Sequence, residues 1–181
     1  MAIVLDGTNG VTTNSGTLIS ATTIGVGGAT PSASGAGITF PATASLSSDA
    51  NTLDDYEEGT WTATLIGATT PPTTPVTTTG KYVKIGKQVT VFCGFSNVDT
   101  TGASGPLTIT GLPFANDGGV PQVGAPPMLY SLPSTGNYNP WYIVSSQLQL
   151  YSITNNAGWN QENISAGTGK YVWATVTYIT G

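Results

Sequence analysis

From Trp61 onward, hydrophobic and polar positions alternate in short runs with a period of two, and no helical period emerges. Trp61-Thr62-Ala63-Thr64-Leu65-Ile66 alternates, and Pro71-Pro72-Thr73-Thr74-Pro75 then imposes an extended loop, because proline has no N–H to give to a central ladder. Residues 81–85 and 88–95 flank Gly86-Lys87 and predict a β-hairpin whose turn uses a glycine at positive φ. Alternation places Val89, Val91, Cys93 and Phe95 on one face, the face expected in the core. Further strands are predicted over 107–110, 128–132, 141–153 and 170–179, between loops rich in glycine and proline. In the last of these, Val172, Ala174, Val176 and Tyr178 oppose Tyr171, Trp173, Thr175, Thr177 and Ile179. Both faces therefore carry apolar groups, one expected to meet the core and the other a neighbouring chain. Short strands at this spacing predict an all-β module over 61–181, an antiparallel sandwich or barrel, of which a jelly-roll-like β-sandwich is the preferred form.

Residues 1–50 are a different material. Ile3-Val4-Leu5 and Leu18-Ile19 are short apolar touches among Gly, Thr, Ser and Ala, too few to close a core. Asp6-Gly7 and Asn9-Gly10 are turn dipeptides, while Gly25-Val26-Gly27-Gly28 and Gly35-Ala36-Gly37 suit bends or close backbone contacts. The expectation is an extended N-terminal arm that docks through Ile3, Val4, Leu5, Leu18 and Ile19 on a neighbouring subunit or another protein by adding a strand. Residues 51–60 form an acidic joint between arm and module.

Composition narrows the chemistry. Only 7% of the 181 residues are charged, against about a quarter in an ordinary soluble domain, so solubility rests on hydroxyls and amides, which cost less to desolvate in an assembly than charges do. The chain has no histidine and no arginine, and its basic residues are Lys81, Lys84, Lys87 and Lys170. Histidine-based nucleophile systems, histidine metal sites and bidentate arginine clamps on phosphate are thereby removed, and no cofactor is expected. A net charge of -5 argues against nucleic acid. The lone Cys93 has no partner for an internal disulfide and reads as a buried thiol. Residues 2–5 are too short for a signal-peptide core, and no window approaches a membrane span, so the expectation is synthesis in a cytoplasm with no membrane partner.

Two groups of side chains invite a functional reading. Asp54, Asp55, Glu57 and Glu58 concentrate the local charge. A glycosidase needs two carboxylates facing each other across a cleft, whereas neighbours on one strand point apart. Calcium is a second reading, through carboxylates converging from several chains, although the spaced loop of an EF-hand is missing. The third makes the segment a joint anchored by Leu53, Tyr56 and Trp61, its acids solvated or paired with lysines, and this is the preferred one: no metal and no catalysis. The other group is aromatic: Tyr138, Trp141 and Tyr142 in one polar loop and Trp159 in another, beside amides, an arrangement that suits a sugar, a protein interface, or the closing ends of a β core.

The segment Asn51-Thr52-Leu53-Asp54-Asp55-Tyr56-Glu57-Glu58-Gly59-Thr60-Trp61 resembles one that recurs in bacteriophage virion appendage proteins of the tail-fibre, head-fibre and capsid-decoration type. The likeness continues through Tyr82-Val83-Lys84-Ile85-Gly86 and Ile109-Thr110-Gly111-Leu112-Pro113-Phe114, and the opening Met1-Ala2-Ile3-Val4-Leu5-Asp6-Gly7-Thr8 is similar to the start of such proteins. Family members often carry a proline soon after the tryptophan, where this chain has Ala63. The resemblance implies a non-enzymatic homotrimer in the virion, on the capsid surface or tail, bound to a major capsid, neck or tail protein. The short length favours a compact decoration or cement protein, with a tail-fibre adhesin for a host glycan as the alternative.

Overall fold

A computed structural model describes residues 23–44, 46–132, 138–155 and 157–181, and the chain divides into two compact units, Met1–Asp54 and Asp55–Gly181. Ile3, Val4, Leu5, Leu18 and Ile19 lie outside the described residues. In the first unit, β1 (Thr23–Gly25) and β2 (Gly37–Thr39) pair in parallel, Thr23 opposite Gly37. The connection turns through Gly27, Gly28 and Gly35, all at positive φ, as the glycine clusters predict.

The second unit is all-β. Its strands are β3 (Tyr56–Gly67), β4 (Val76–Ile85), β5 (Gln88–Val98), β6 (Leu107–Thr110), β7 (Gln122–Gly124), β8 (Met128–Tyr130), β9 (Trp141–Val144), β10 (Gln147–Ile153), β11 (Trp159–Gln161) and β12 (Lys170–Ile179). They form one antiparallel sheet in the order β7-β9-β10-β6-β3-β4-β5-β12-β8, with β11 added on β10. The sheet curls over its own inner face as a β-sandwich. Trp61, Ala63, Leu65, Val89, Val91, Phe95, Ile109, Ile143, Leu148, Leu150, Val172 and Val176 fill the interior, with Cys93 partly buried against them. The strand signals at 107–110 and 170–179, the face of Val89 and Phe95, and the Gly86 turn (φ 55°) are all realised as the alternation predicts.

The end of β12 is tied to the 114–117 segment by Asp117 N–H donating to the Ile179 carbonyl (3.1 Å) and Thr180 Oγ1 donating to the Ala115 carbonyl (2.8 Å), and to β7 by one side chain. The Gln122 carboxamide on β7 donates from Nε2 to the Ile179 carbonyl (2.9 Å) and accepts at Oε1 from the Ile179 N–H (2.5 Å). It thus supplies β12 with the two bonds a neighbouring strand would give. Next to it Gly124 lies over Val176, where an added Cβ would come within 2.6 Å of a Val176 methyl.

Three aromatic residues sit directly opposite glycines across the ladders: Tyr82 opposite Gly59, Trp61 opposite Gly80, and Trp173 opposite Gly94. Each ring folds onto its glycine. A Cβ on Gly59 would lie 2.6 Å from the Tyr82 ring, and one on Gly94 would lie 2.9 Å from Trp173 Cδ1. Glycine is weak in a strand on its own account, and here the missing side chain is the room the ring occupies.

Two strand expectations are corrected. The 141–153 run is a hairpin: Val144 pairs with Gln147, and Ser145-Ser146 form the turn, with Ser145 at φ 51°. The inward positions change phase there, from Trp141 and Ile143 to Leu148, Leu150 and Ser152. The 128–132 strand stops at Tyr130, because Ser131 at φ 61° leaves the extended conformation.

Candidate functional site

The acidic segment is tied down group by group. Within the first unit, Asp54 Oδ2 accepts the Ser47 N–H at 2.6 Å. In the second unit Asp55 and Lys84 form a buried ion pair, with the Lys84 ammonium 5.5 Å from the centre of the Phe114 ring. Glu57 and Glu58 point to opposite faces of β3: Tyr82 O–H donates to Glu57 and Tyr56 O–H to Glu58. These bonds hold the phenols neutral, raising Tyr56 and pushing Tyr82 up to about 12. Trp61 is buried, with Nε1 donating to the Lys81 carbonyl at 3.2 Å, whereas Leu53 and Tyr56 remain exposed in the single chain. The carboxylates of the second unit thus diverge into separate partnerships. Among the described residues no group of three or more acids or cysteines is placed to hold a metal ion.

The candidate recognition aromatics separate. Trp141 is fully buried in the core, its Nε1 without a hydrogen-bond partner among the described residues, so it has no surface at which to meet a ligand. Tyr142, one residue later, faces outward. The ladders bring it together with Tyr151 and Trp159: Tyr142 pairs with Gln149, Tyr151 with Gln161, and Ile153 with both Trp159 and Tyr138. Ring centroids are 5.5 Å apart for Tyr142 and Tyr151, 5.9 Å for Tyr142 and Trp159, and 5.7 Å for Tyr151 and Trp159. Trp159 is 60% exposed and Tyr138 is also exposed. Gln161 Nε2 donates to Gln149 Oε1 at 2.9 Å along the edge of the rings. Tyr151, Gln149 and Gln161 were not singled out from the sequence. Their signal is the even-odd phase of β10, legible only once the Ser145-Ser146 turn is recognised.

A second outward face covers β4, β5, β12 and β8. Ile85, Phe92, Trp173, Ile179, Met128 and Tyr130 are exposed there, among Thr90, Thr175 and Thr177. Tyr130 and Tyr171 meet edge to face at 5.6 Å, and Trp173 Nε1 donates to Ser96 Oγ at 3.1 Å, so the rings are fixed in place. Cys93 lies at the edge of a hollow on this face lined by Phe92, Met128 and Trp173. Burial pushes its thiol up to about 11, away from the thiolate a nucleophile needs. Comparison with protein-family models and with curated proteins gives no match to this chain.

Proposed function

We propose that this chain is a structural protein of a bacteriophage particle, a homotrimer that decorates or cements the virion and docks on it by its N-terminal arm. The observation that carries the reading is the outer face of β4, β5, β12 and β8. Six large side chains, Ile85, Phe92, Met128, Tyr130, Trp173 and Ile179, are exposed together on it, and apolar groups clustered on one sheet face mark an interaction surface. The only charged groups among its outward positions on β4, β5, β8 and β12 are on Lys81 and, at the hairpin, Lys87. Packing this face against sister copies removes apolar area from water at a small polar desolvation cost. The resemblance of residues 51–61 to phage appendage proteins and the low charge of the whole chain support the same reading.

Assembly adds contact area without bond-making chemistry. A permanent interface of about 2,000 Å² or more would make the folded protomer depend on its neighbours. Sedimentation of the full chain at micromolar concentration should give a trimer, and Phe92→Glu with Trp173→Glu should abolish that trimer and lower the stability of the dissociated chain. Deleting residues 1–50 should leave trimers that no longer attach to particles. A wild-type chain that stays monomeric across the concentration range, or a truncated chain that still decorates particles, would refute the assembly or the arm respectively.

A further inference from the structure

The outward strip on β9, β10 and β11 has a different chemistry from the proposed assembly face. Tyr138, Tyr142, Tyr151 and Trp159 line one side of three paired strands, and Gln149 and Gln161 border them. From Tyr138 to Tyr142 the strip runs about 14 Å, at roughly 3.4 Å per residue of strand, room for more than one sugar ring. No lysine, aspartate or glutamate lies on these outward positions, and Glu162, the acid next in sequence to Gln161, is buried. A phosphorylated or anionic ligand would find no counter-charge here.

The rings lock one another. Tyr142 stands edge-on to both Tyr151 (72°) and Trp159 (80°), while Tyr151 and Trp159 are tilted by 43°. Mutual packing leaves few rotamers to freeze on binding, which reduces the entropic cost of capturing a weak ligand. The two glutamines are also oriented in advance. Their mutual bond uses one Nε2 hydrogen of Gln161 and one lone pair of Gln149 Oε1, leaving the Gln149 amide N–H groups and the Gln161 carbonyl available beside the rings. A ligand matching this surface has a flat face of C–H groups to lie on aromatic rings, an equatorial rim of hydroxyls that both donate and accept, and no net charge.

We infer that the Tyr138–Tyr142–Tyr151–Trp159 strip is a binding site for a neutral oligosaccharide, with Trp159 and Tyr151 as the stacking platform and Gln149 and Gln161 as the groups that read hydroxyl orientation. This does not depend on the assembly reading, because the strip lies on strands other than those of the proposed interface.

The test uses the full chain in affinity electrophoresis through gels containing one neutral polysaccharide each (dextran, galactomannan, hydroxyethylcellulose), followed by an array of neutral and anionic glycans. At least one neutral probe should retard the protein. Trp159→Ala and Tyr151→Ala should each weaken that interaction at least tenfold, and Gln161→Ala about threefold to tenfold. Lys87→Ala, at the distant hairpin, should change it by less than twofold. Near-UV circular dichroism confirms that each variant is folded. The inference is overturned if no neutral glycan binds, if binding survives both aromatic substitutions, or if only anionic glycans bind. It is equally overturned if Trp159→Ala abolishes self-association or particle attachment while sugar binding stays intact, since the strip would then be a protein interface.

Discussion

Replacing Lys84 with methionine keeps most of the length and apolar stem of the side chain but removes the ammonium that faces Asp55. The two residues are only 7% and 4% exposed, so water cannot take over the role of the lost partner. Leaving one member of a buried pair uncompensated costs about 3–5 kcal/mol, and losing the cation over Phe114 adds roughly 0.5–1 kcal/mol. A domain of this size has a net stability of about 5–15 kcal/mol, so Lys84→Met should remove a large fraction of it. The double variant Asp55→Asn with Lys84→Met no longer buries a bare carboxylate and should recover at least 2 kcal/mol relative to Lys84→Met alone. Urea unfolding, followed through the fluorescence of the buried Trp61 and Trp141 at one fixed protomer concentration, measures both differences. A Lys84→Met variant within 1 kcal/mol of wild type would refute the reasoning. So would a double variant as unstable as the single one, because the cost would then not come from the orphaned charge.

Three further outcomes follow from the same geometry. Gln122→Ala removes the two carboxamide hydrogen bonds to Ile179, leaving that of the Asp117 N–H to its carbonyl, and should cost about 1–3 kcal/mol, with faster hydrogen exchange at the Ile179 amide than at Val176; unchanged exchange at Ile179 would show that the carboxamide does not hold this edge. The Tyr178 phenol is pushed up to about 12 by burial, and its O–H donates to the Phe114 carbonyl at 2.8 Å. The folded chain therefore holds this proton more tightly than the unfolded one. That contribution is full below about pH 10, where the unfolded phenol begins to ionise, and is lost as pH rises towards 12. Tyr178→Phe should cost about 1 kcal/mol at neutral pH and flatten the alkaline fall in stability, as pH-dependent urea titrations would reveal. Cys93, with its thiol held up to about 11, should react with a disulfide reagent at pH 8 far more slowly in the folded chain than in urea, and equal rates would contradict its burial.

Local rules made much of this fold legible. A side-chain period of two and the φ freedom of glycine act within a few residues, so the inward faces of β5 and β12, the Gly86 hairpin and the all-β class could be read directly from the order of residues. The same alternation marked Tyr171, Trp173, Thr175, Thr177 and Ile179 as a face of their own, and the structure places them outward. The hairpin inside 141–153 was harder, because Ser145-Ser146 carries no glycine or asparagine to announce a turn. Missing it blurred the difference between Trp141 and Tyr142, adjacent residues that face the core and the solvent respectively.

Composition and local pattern alone determined that this chain builds antiparallel strands with few charged groups and has neither histidine nor arginine. Which aromatic rings share a surface was decided only in three dimensions, because register between strands sets the neighbours: Tyr142 meets Trp159 through β10, and Trp61 finds its space over Gly80. The pairing of Asp55 with Lys84 and the clasp of Gln122 on Ile179 bridge separations of 29 and 57 residues. No local preference encodes such contacts. The ion pair forms because burial leaves Asp55 and Lys84 no water and the complementary group of each is far away along the chain, whereas the clasp follows from where the curled sheet brings β7 beside the end of β12.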